Sequence, residues 1–173
     1  MQSLSIDRKF SDLPLAITMG EPGGINSEIF LKAIKEVNKI KNFIICDPSW
    51  IEKSLKFFNK NMPINILDEN LDTKENYINI FPTKKKVIFK LGKPNKRNNN
   101  AIIESIDKAI YFAKNKKISG VVTLPIYKKN LIEDGFKFPG HTEYLSYKDN
   151  SEPLMILMNK KLKVATVTTH IPI

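Results

Sequence analysis

Short apolar runs alternate with amphipathic segments along most of the chain, and this alternation predicts strands and helices in turn. The runs at 15–19, 43–46 and 120–124 have the length and composition of buried strands. The segment 102–113 carries isoleucine or alanine at every third or fourth position, which is the period of a helix with one buried face. Strands that alternate with helical patterns indicate βαβ units, so we predict an α/β fold with a mainly parallel sheet.

Weaker signals predict further elements between these. Asp47-Pro48 is typical of a helix start, because aspartate caps the first turn and proline is tolerated at its first position. The run 64–66 predicts a third short strand, whereas 68–79 is polar and weakly patterned and indicates a surface loop. A further apolar run at 87–89 leads into the polar tract 95–100, which precedes the long helix.

The pattern changes after Pro125. A short helix is predicted over 128–134, and Thr142 is placed to cap the next one. The apolar runs 154–158 and 162–169 are separated by three polar residues, which predicts an antiparallel β-hairpin near the C-terminus.

The composition indicates a folded protein and argues against several function classes. The 173 residues are 42% hydrophobic and 27% charged, which are ordinary values for a globular domain. No segment approaches the roughly 20 apolar residues that span a bilayer, and 1–17 lacks a continuous apolar stretch of signal-peptide length. The net charge of +10 comes from scattered lysines without a recognition motif, so we expect no nucleic-acid partner. From the lack of a signal peptide and of a membrane span, we expect a cytoplasmic protein with no membrane partner.

Two further features have open interpretations. The loop 20–24 is rich in glycine and lies between a strand and a helix, so it could either bind an anion or form a tight structural connection. Its sequence matches neither the dinucleotide-binding motif nor the P-loop motif. Cys46 is the only cysteine, which excludes an internal disulfide, and its place at the end of an apolar run indicates a buried side chain rather than a nucleophile.

The two histidines are the residues best able to carry chemistry. His170 ends the last apolar run, where a histidine can be a metal ligand or a general base, although a structural role is more common. His141 lies in a Pro-Gly turn beside Thr142 and Glu143, which suits an anion or hydroxyl group. Two histidines are too few for a site with three histidine ligands. From these residues alone, we predict an α/β domain that carries half of a functional site.

Several motifs, in order, resemble those of one enzyme family. The segments 17–25, 140–145 and 164–172 are similar to successive signatures of 4-hydroxythreonine-4-phosphate dehydrogenase, the NAD-dependent enzyme of pyridoxal 5′-phosphate biosynthesis. The segments 92–94 and 123–128 resemble the same family in order and spacing. The resemblance runs along essentially the whole chain.

The resemblance implies roles for three residues and a fold. His141 and Thr142 match the family's substrate-binding pair, and His170 matches the first of three metal-binding histidines. The implied fold is the two-domain α/β/α architecture of isocitrate and isopropylmalate dehydrogenases, with the active site at a homodimer interface. We expect residues 1–173 to form one incomplete catalytic unit with an internal boundary near 125. Catalytic and cofactor-binding residues are not assigned.

The resemblance also implies a reaction. The enzyme would oxidise the secondary hydroxyl of 4-phosphooxy-L-threonine by hydride transfer to NAD or NADP, and the β-keto acid formed would lose CO2 to give 3-amino-2-oxopropyl phosphate. A divalent metal would polarise the hydroxyl, and imidazole ligands suit zinc or cobalt better than magnesium.

The chain departs from the family pattern in sequence and in length. Asn26-Ser27 stands where the family usually has Gly-Pro, and Leu124 stands where it usually has Gly. Family members are about twice as long, so we expect an N-terminal portion that ends just after the first metal ligand. The alternatives are a related threonate or erythronate 4-phosphate dehydrogenase, and a non-catalytic remnant that binds a phosphorylated ligand or a partner chain.

Overall fold

The computed structural model, which describes residues 12–37 and 39–167, contains a five-stranded parallel sheet. The strands, in their spatial order, are β3 (Ile64–Ile66), β4 (Ile78–Pro82), β2 (Asn42–Cys46), β1 (Leu15–Thr18) and β5 (Gly120–Thr123). Each neighbouring pair is parallel, and Leu15 lies opposite both Asn42 and Gly120. The predicted α/β class with a mainly parallel sheet is confirmed.

Four helices connect these strands or follow them. They are α1 (Asn26–Val37), α2 (Pro48–Phe57), α3 (Asn99–Lys114) and α4 (Lys128–Glu133). The connection through α1 crosses the sheet in one direction and the connection through α3 returns in the other. Because such crossovers are right-handed, α1 and α3 lie on opposite faces of the sheet. Helix α1 contacts α2, and α3 packs on β1, β2 and β5, which gives the predicted α/β/α layers.

The core between α3 and the sheet is built around Phe112. Its ring meets those of Phe43 and Phe81 edge-on, with centroids 5.8 and 5.0 Å apart. The predicted stripe of α3 ended at Ala113, which is exposed, whereas Phe112 is fully buried. Positions 112 and 113 both fit a 3.6-residue period after Ala109. Phe112 takes the buried position because burying its larger apolar side chain is more favourable than burying alanine.

The start of α2 confirms the predicted cap. The Asp47 carboxylate accepts hydrogen bonds from the backbone N–H of Ser49 (3.2 Å) and of Val87 (3.0 Å), and from the Ser49 hydroxyl (2.9 Å). Lys86 Nζ lies 3.3 Å from the same carboxylate. Burial alone would raise the pKa of Asp47, but these donors outweigh it and hold the pKa below its ordinary value.

One sequence-based expectation between β3 and α3 needs correction. Strand β4 begins at Ile78, inside the segment predicted as a surface loop, and Ile78 and Ile80 are fully buried. The apolar run 87–89 forms no strand. Its backbone donors bond side chains instead, because Val87 N–H donates to Asp47 and Ile88 N–H donates to Asn98 Oδ1 (2.7 Å).

The chain forms two compact units, of which the first ends at Lys137 and the second begins at Phe138. The domain boundary near residue 125 stays a prediction. The second unit contains α5 (His141–Asp149) and the antiparallel strands β6 (Ile156–Met158) and β7 (Lys163–Ala165), which confirms the predicted hairpin over the described residues. None of the helices in the described ranges combines the length and apolarity needed to cross a membrane.

Candidate functional site

The second unit places two of the predicted site residues at the start of α5. The helix begins at His141, directly after Gly140, whose backbone is extended (φ −172°, ψ −164°). No side chain caps the helix at this end. The first N–H groups of an α-helix have no acceptor within the helix and attract negative charge. His141 and Thr142 therefore occupy the first turn of α5, next to backbone donors that suit a phosphate or a carboxylate.

The prediction that Thr142 caps this helix is wrong. The residue at the cap position is Gly140, and Thr142 is the second residue of the helix. The side chain of Thr142 is exposed, so its hydroxyl faces outward from the first turn. This position leaves Thr142 available to a ligand instead of using its oxygen on the helix backbone.

Aromatic contacts hold the turn before α5 against the helix. The ring of Phe138 lies 5.1 Å from that of Tyr144 and 5.0 Å from that of Tyr147, measured between centroids. Lys148 Nζ lies 5.5 Å from the centroid of the Tyr144 ring. Such ring pairs each stabilise by about 0.5–1.5 kcal/mol beyond the area they bury. They fix the direction in which the chain enters the helix at His141.

The third predicted site residue, His170, lies outside the described residues. Within residues 12–37 and 39–167, no three histidine, cysteine, aspartate or glutamate side chains form a group that could hold a metal ion. The described residues alone therefore do not provide the ligands of the implied metal.

The glycine loop 20–24 follows β1 at the carboxyl end of the sheet, beside β5. Ligands commonly bind in α/β folds at such a point, where the connections of neighbouring strands diverge. Here the loop is packed against protein. Gly20 has φ +57°, and a Cβ atom on it would lie 2.3 Å from the carbonyl oxygen of Pro125. A Cβ atom on Gly23 would lie 2.5 Å from the carbonyl oxygen of Lys93. Both contacts favour a tight connection over an anion-binding loop.

Asn26 ties this loop to the end of β5. Its side-chain Nδ2 lies 2.7 Å from the carbonyl oxygen of Pro125 and 3.1 Å from those of Met19 and Glu21. The backbone N–H of Glu21 also donates to Pro125 (3.0 Å). Where the resemblance implies a glycine in the family, the Asn26 side chain makes contacts that glycine could not make.

Glu21 is a buried carboxyl within the same loop. Its Oε1 accepts from the Gly23 N–H (2.9 Å) and from Asn98 Nδ2 (3.4 Å), while its Oε2 has no hydrogen-bond partner among the described residues. Burial raises the pKa of Glu21, and the bonds from Gly23 and Asn98 offset only part of that rise. Neither Glu21 nor Asn98 is predicted as a site residue from the sequence; the only signal is the place of Glu21 inside a glycine loop.

Cys46 confirms the interpretation made from the sequence. It is fully buried at the end of β2, and burial raises the pKa of its thiol well above the ordinary value. A thiol that stays protonated is a poor nucleophile, which agrees with the interpretation of Cys46 as a buried apolar side chain.

Comparison with known proteins now decides the family. The family model described as pyridoxal phosphate biosynthetic protein PdxA matches residues 38–173. The chain belongs to the PdxA family. Among curated PdxA relatives, the 4-hydroxythreonine-4-phosphate dehydrogenase of Sulfurihydrogenibium sp. is 36% identical over 165 residues, which are 92% of this chain and 50% of the relative. That of Wigglesworthia glossinidia brevipalpis is 31% identical over 163 residues, with 92% and 49% covered.

Solved structures of PdxA proteins have the same fold as this chain. The 4-hydroxythreonine-4-phosphate dehydrogenase of Burkholderia phymatum superposes with a TM-score of 0.83 at 24% identity, covering 92% of this chain and 51% of that one. The Klebsiella pneumoniae protein of the same name gives a TM-score of 0.81 at 25% identity, with 92% and 52% covered. The predicted dehydrogenase-like fold is confirmed. This chain spans about half the length of the curated PdxA relatives it matches.

Proposed function

We propose that this chain supplies part of a dehydrogenase that oxidises 4-phosphooxy-L-threonine with NAD or NADP in pyridoxine 5′-phosphate biosynthesis. The oxidised product would lose CO2 to give 3-amino-2-oxopropyl phosphate. Family membership supports an oxidoreductase of this pathway, because the matched relatives are named 4-hydroxythreonine-4-phosphate dehydrogenases. We place the enzyme in the cytoplasm, as a homodimer.

The observation that carries the proposal is the start of α5. His141 and Thr142 share the first helical turn with backbone donors, and the Thr142 side chain is exposed. In the proposal these two residues bind the phosphorylated substrate. The Thr142 hydroxyl donates to or accepts from the substrate, the imidazole of His141 contacts an anionic group, and the helix N-terminus adds its partial positive charge.

The proposal assigns the metal and the cofactor only in part. In the proposal His170 is one ligand of a divalent metal, which would be zinc, cobalt or magnesium. The described residues of the glycine loop are occupied by packing, so the proposal assigns no cofactor contact to them.

Substrate binding tests the roles of His141 and Thr142. Titration calorimetry of the 173-residue chain with 4-phosphooxy-L-threonine is expected to show binding, and Thr142→Val and His141→Ala are each expected to weaken it about tenfold, the usual value of one lost polar contact. Tyr147→Phe is the matched control, because it removes a hydroxyl from the same helix and keeps the ring against Phe138. Equal affinities for all four proteins would contradict the assignment.

Two further measurements separate the rival functions. Threonate and erythronate 4-phosphates, titrated in parallel, decide the substrate: tighter binding of either, lost in Thr142→Val, would replace 4-phosphooxy-L-threonine. Stoichiometric metal uptake that disappears in His170→Ala supports the metal assignment. Binding without any reduction of NAD or NADP would favour a non-catalytic role for the chain as it stands.

A further inference from the structure

A groove on the first unit has no role in the proposed reaction. It has a volume of about 730 Å³ and runs between α2 and the connection that joins β4 to α3. Six residues line this basic groove: Lys53, Lys56, Phe57, Phe89, Lys90 and Leu91. Three lysines around three large apolar side chains make a surface with a charged rim and an apolar floor.

The apolar floor is not part of the core. Helix α2 buries Trp50, Ile51, Ser54 and Leu55. Lys53, Lys56 and Phe57 are exposed, and Lys53 lies three residues before Lys56 and four before Phe57, a spacing that brings these side chains together on a helix. Phe57 is 61% exposed. A phenylalanine that is exposed on the outer face of a helix contributes little to folding, so its place in the groove is available for binding.

The lysines of the groove are not neutralised within the described part of the chain. Lys53, Lys56 and Lys90 form no ion pair with any described residue, whereas Lys86 and Lys96 nearby in sequence pair with Asp47 and Glu133. The connection 84–97 holds six lysines and one arginine and no acidic residue. Self-repulsion among unpaired cations is relieved by a negatively charged partner.

We propose that the basic groove binds an acidic segment of another protein. Aspartate or glutamate side chains of that segment would face Lys53, Lys56 and Lys90, and an apolar side chain would contact Phe57 and Leu91. The apolar floor of the groove favours carboxylates beside leucine or phenylalanine over the phosphates of a nucleic acid, which bring no apolar group to that floor.

The test uses a defined probe and the whole 173-residue chain. A short fluorescein-labelled peptide, in which pairs of glutamates are separated by single leucines, is titrated with the protein and followed by fluorescence anisotropy. We expect saturable binding that weakens as salt rises. The triple variant Lys53→Glu/Lys56→Glu/Lys90→Glu is expected to weaken binding at least about tenfold, and Phe57→Ser about threefold to fivefold.

A matched charge control separates the groove from the overall charge. The triple variant Lys41→Glu/Lys160→Glu/Lys161→Glu changes the net charge equally at exposed lysines elsewhere, and it is expected to change affinity less than about twofold. Circular dichroism confirms that each variant is folded. Equal weakening by both triple variants, or no binding of the peptide, would overturn the proposal. So would groove-dependent binding of phosphatidylserine vesicles or of a single-stranded oligonucleotide in place of the peptide.

Discussion

Glu21 and Asp47 are carboxyls near the ends of neighbouring strands, and their surroundings shift their pKa values in opposite directions. Both oxygens of Asp47 accept hydrogen bonds, and Lys86 lies beside them. Only one oxygen of Glu21 is bonded among the described residues, so burial dominates there. The number of donors that reach each carboxylate therefore decides whether the fold favours its charged or its neutral form.

The first prediction concerns the pH dependence of stability at Glu21. Because the pKa is raised in the folded state, the native protein holds the proton more tightly than the unfolded chain. The stability that Glu21 contributes is present below the unfolded pKa and is lost as pH rises through the folded pKa. Glu21→Gln keeps an oxygen for the Gly23 N–H and does not ionise, so we expect its free energy of unfolding to exceed that of the wild type at about pH 7.

Urea unfolding at several pH values checks this expectation. The difference between Glu21→Gln and the wild type is expected to shrink towards about pH 4, where the wild-type carboxyl is protonated. Asp47→Asn is the control of opposite sign. Its lowered pKa means that Asp47 contributes stability above the unfolded pKa, which is lost as pH falls through the folded pKa. A Glu21→Gln variant that is less stable than the wild type at neutral pH would contradict the raised pKa.

The second prediction concerns Gly20. A Cβ atom there would overlap the carbonyl oxygen of Pro125, and the backbone has positive φ. Gly92 also has positive φ (+74°), but no atom lies within 4 Å of a Cβ built on it. Gly92→Ala is therefore expected to cost about 1 kcal/mol of unfolding free energy, the cost of the backbone conformation alone, and Gly20→Ala about 3 kcal/mol or more. Equal losses in thermal or urea unfolding would show that the contact with Pro125 is not tight.

At the scale of the element, α3 shows what a sequence pattern can and cannot predict. The apolar period gives the helix and its buried face, because those depend on neighbours three and four residues away. Ser105 on that buried face could not be interpreted from the pattern. Its hydroxyl accepts from the N–H of Met19 (3.1 Å) and donates to the carbonyl of Ile45 (2.7 Å), which lie 86 and 60 residues away in sequence. These contacts form only because the order of the strands brings Met19 and Ile45 next to Ser105, and a local sequence pattern does not contain that order.

The third prediction concerns the connection between the β1 loop and the end of β5. Asn26 Nδ2 lies near three carbonyl oxygens but carries two hydrogens, so one hydrogen is shared. A flipped amide would bring its oxygen against the three carbonyls, which fixes the orientation. In Asn26→Ala the carbonyls of Pro125 and Glu21 keep a backbone N–H donor but lose the side-chain one, and the carbonyl of Met19 also loses this donor. The free energy of unfolding is expected to fall by about 2 kcal/mol.

Amide hydrogen exchange distinguishes this effect from a general loss of stability. The backbone N–H of Glu21 donates to the carbonyl of Pro125. In Asn26→Ala we expect the exchange rate of this N–H to rise by more than the loss of global unfolding free energy would explain. The matched control is Asn65→Ala, which removes an asparagine donor from the opposite end of the sheet order. Unchanged exchange at Glu21 in Asn26→Ala would show that the loop holds its position without the side chain.

At the scale of the whole molecule, the sequence predicted the fold class but not the order of the sheet. Strand β4 lies between β3 and β2, and its run of apolar residues is short and follows a polar segment, so the sequence predicts a loop over its first two residues and no strand. His141 and Thr142 were predicted as substrate residues because they belong to a contiguous motif, and that role stays a prediction. Glu21 and Asn26 were not, because their roles depend on Asn98 and Pro125, which come from distant parts of the chain.

The last prediction concerns the hairpin of the second unit. All six strand residues of β6 and β7 are exposed, and Leu157 and Val164 are partners across the two strands. An isolated two-stranded hairpin is marginally stable, and exposed apolar strands associate with one another. We expect the 173-residue chain to self-associate through this hairpin, so that its sedimentation coefficient rises with concentration.

Leu157→Lys/Val164→Glu should suppress that association. The opposite charges face each other across the strands, which keeps the cross-strand pair favourable while removing apolar surface. The matched control is Ile40→Lys/Ile132→Glu, which changes two exposed isoleucines of the first unit that are 56% and 54% accessible. Association that persists in the hairpin variant, or that disappears equally in the control, would show that the contact between chains forms elsewhere. Charged side chains at these positions remove the apolar surface that two chains would bury against each other. If the hairpin variant alone is monomeric, the chains therefore associate through the apolar strands β6 and β7.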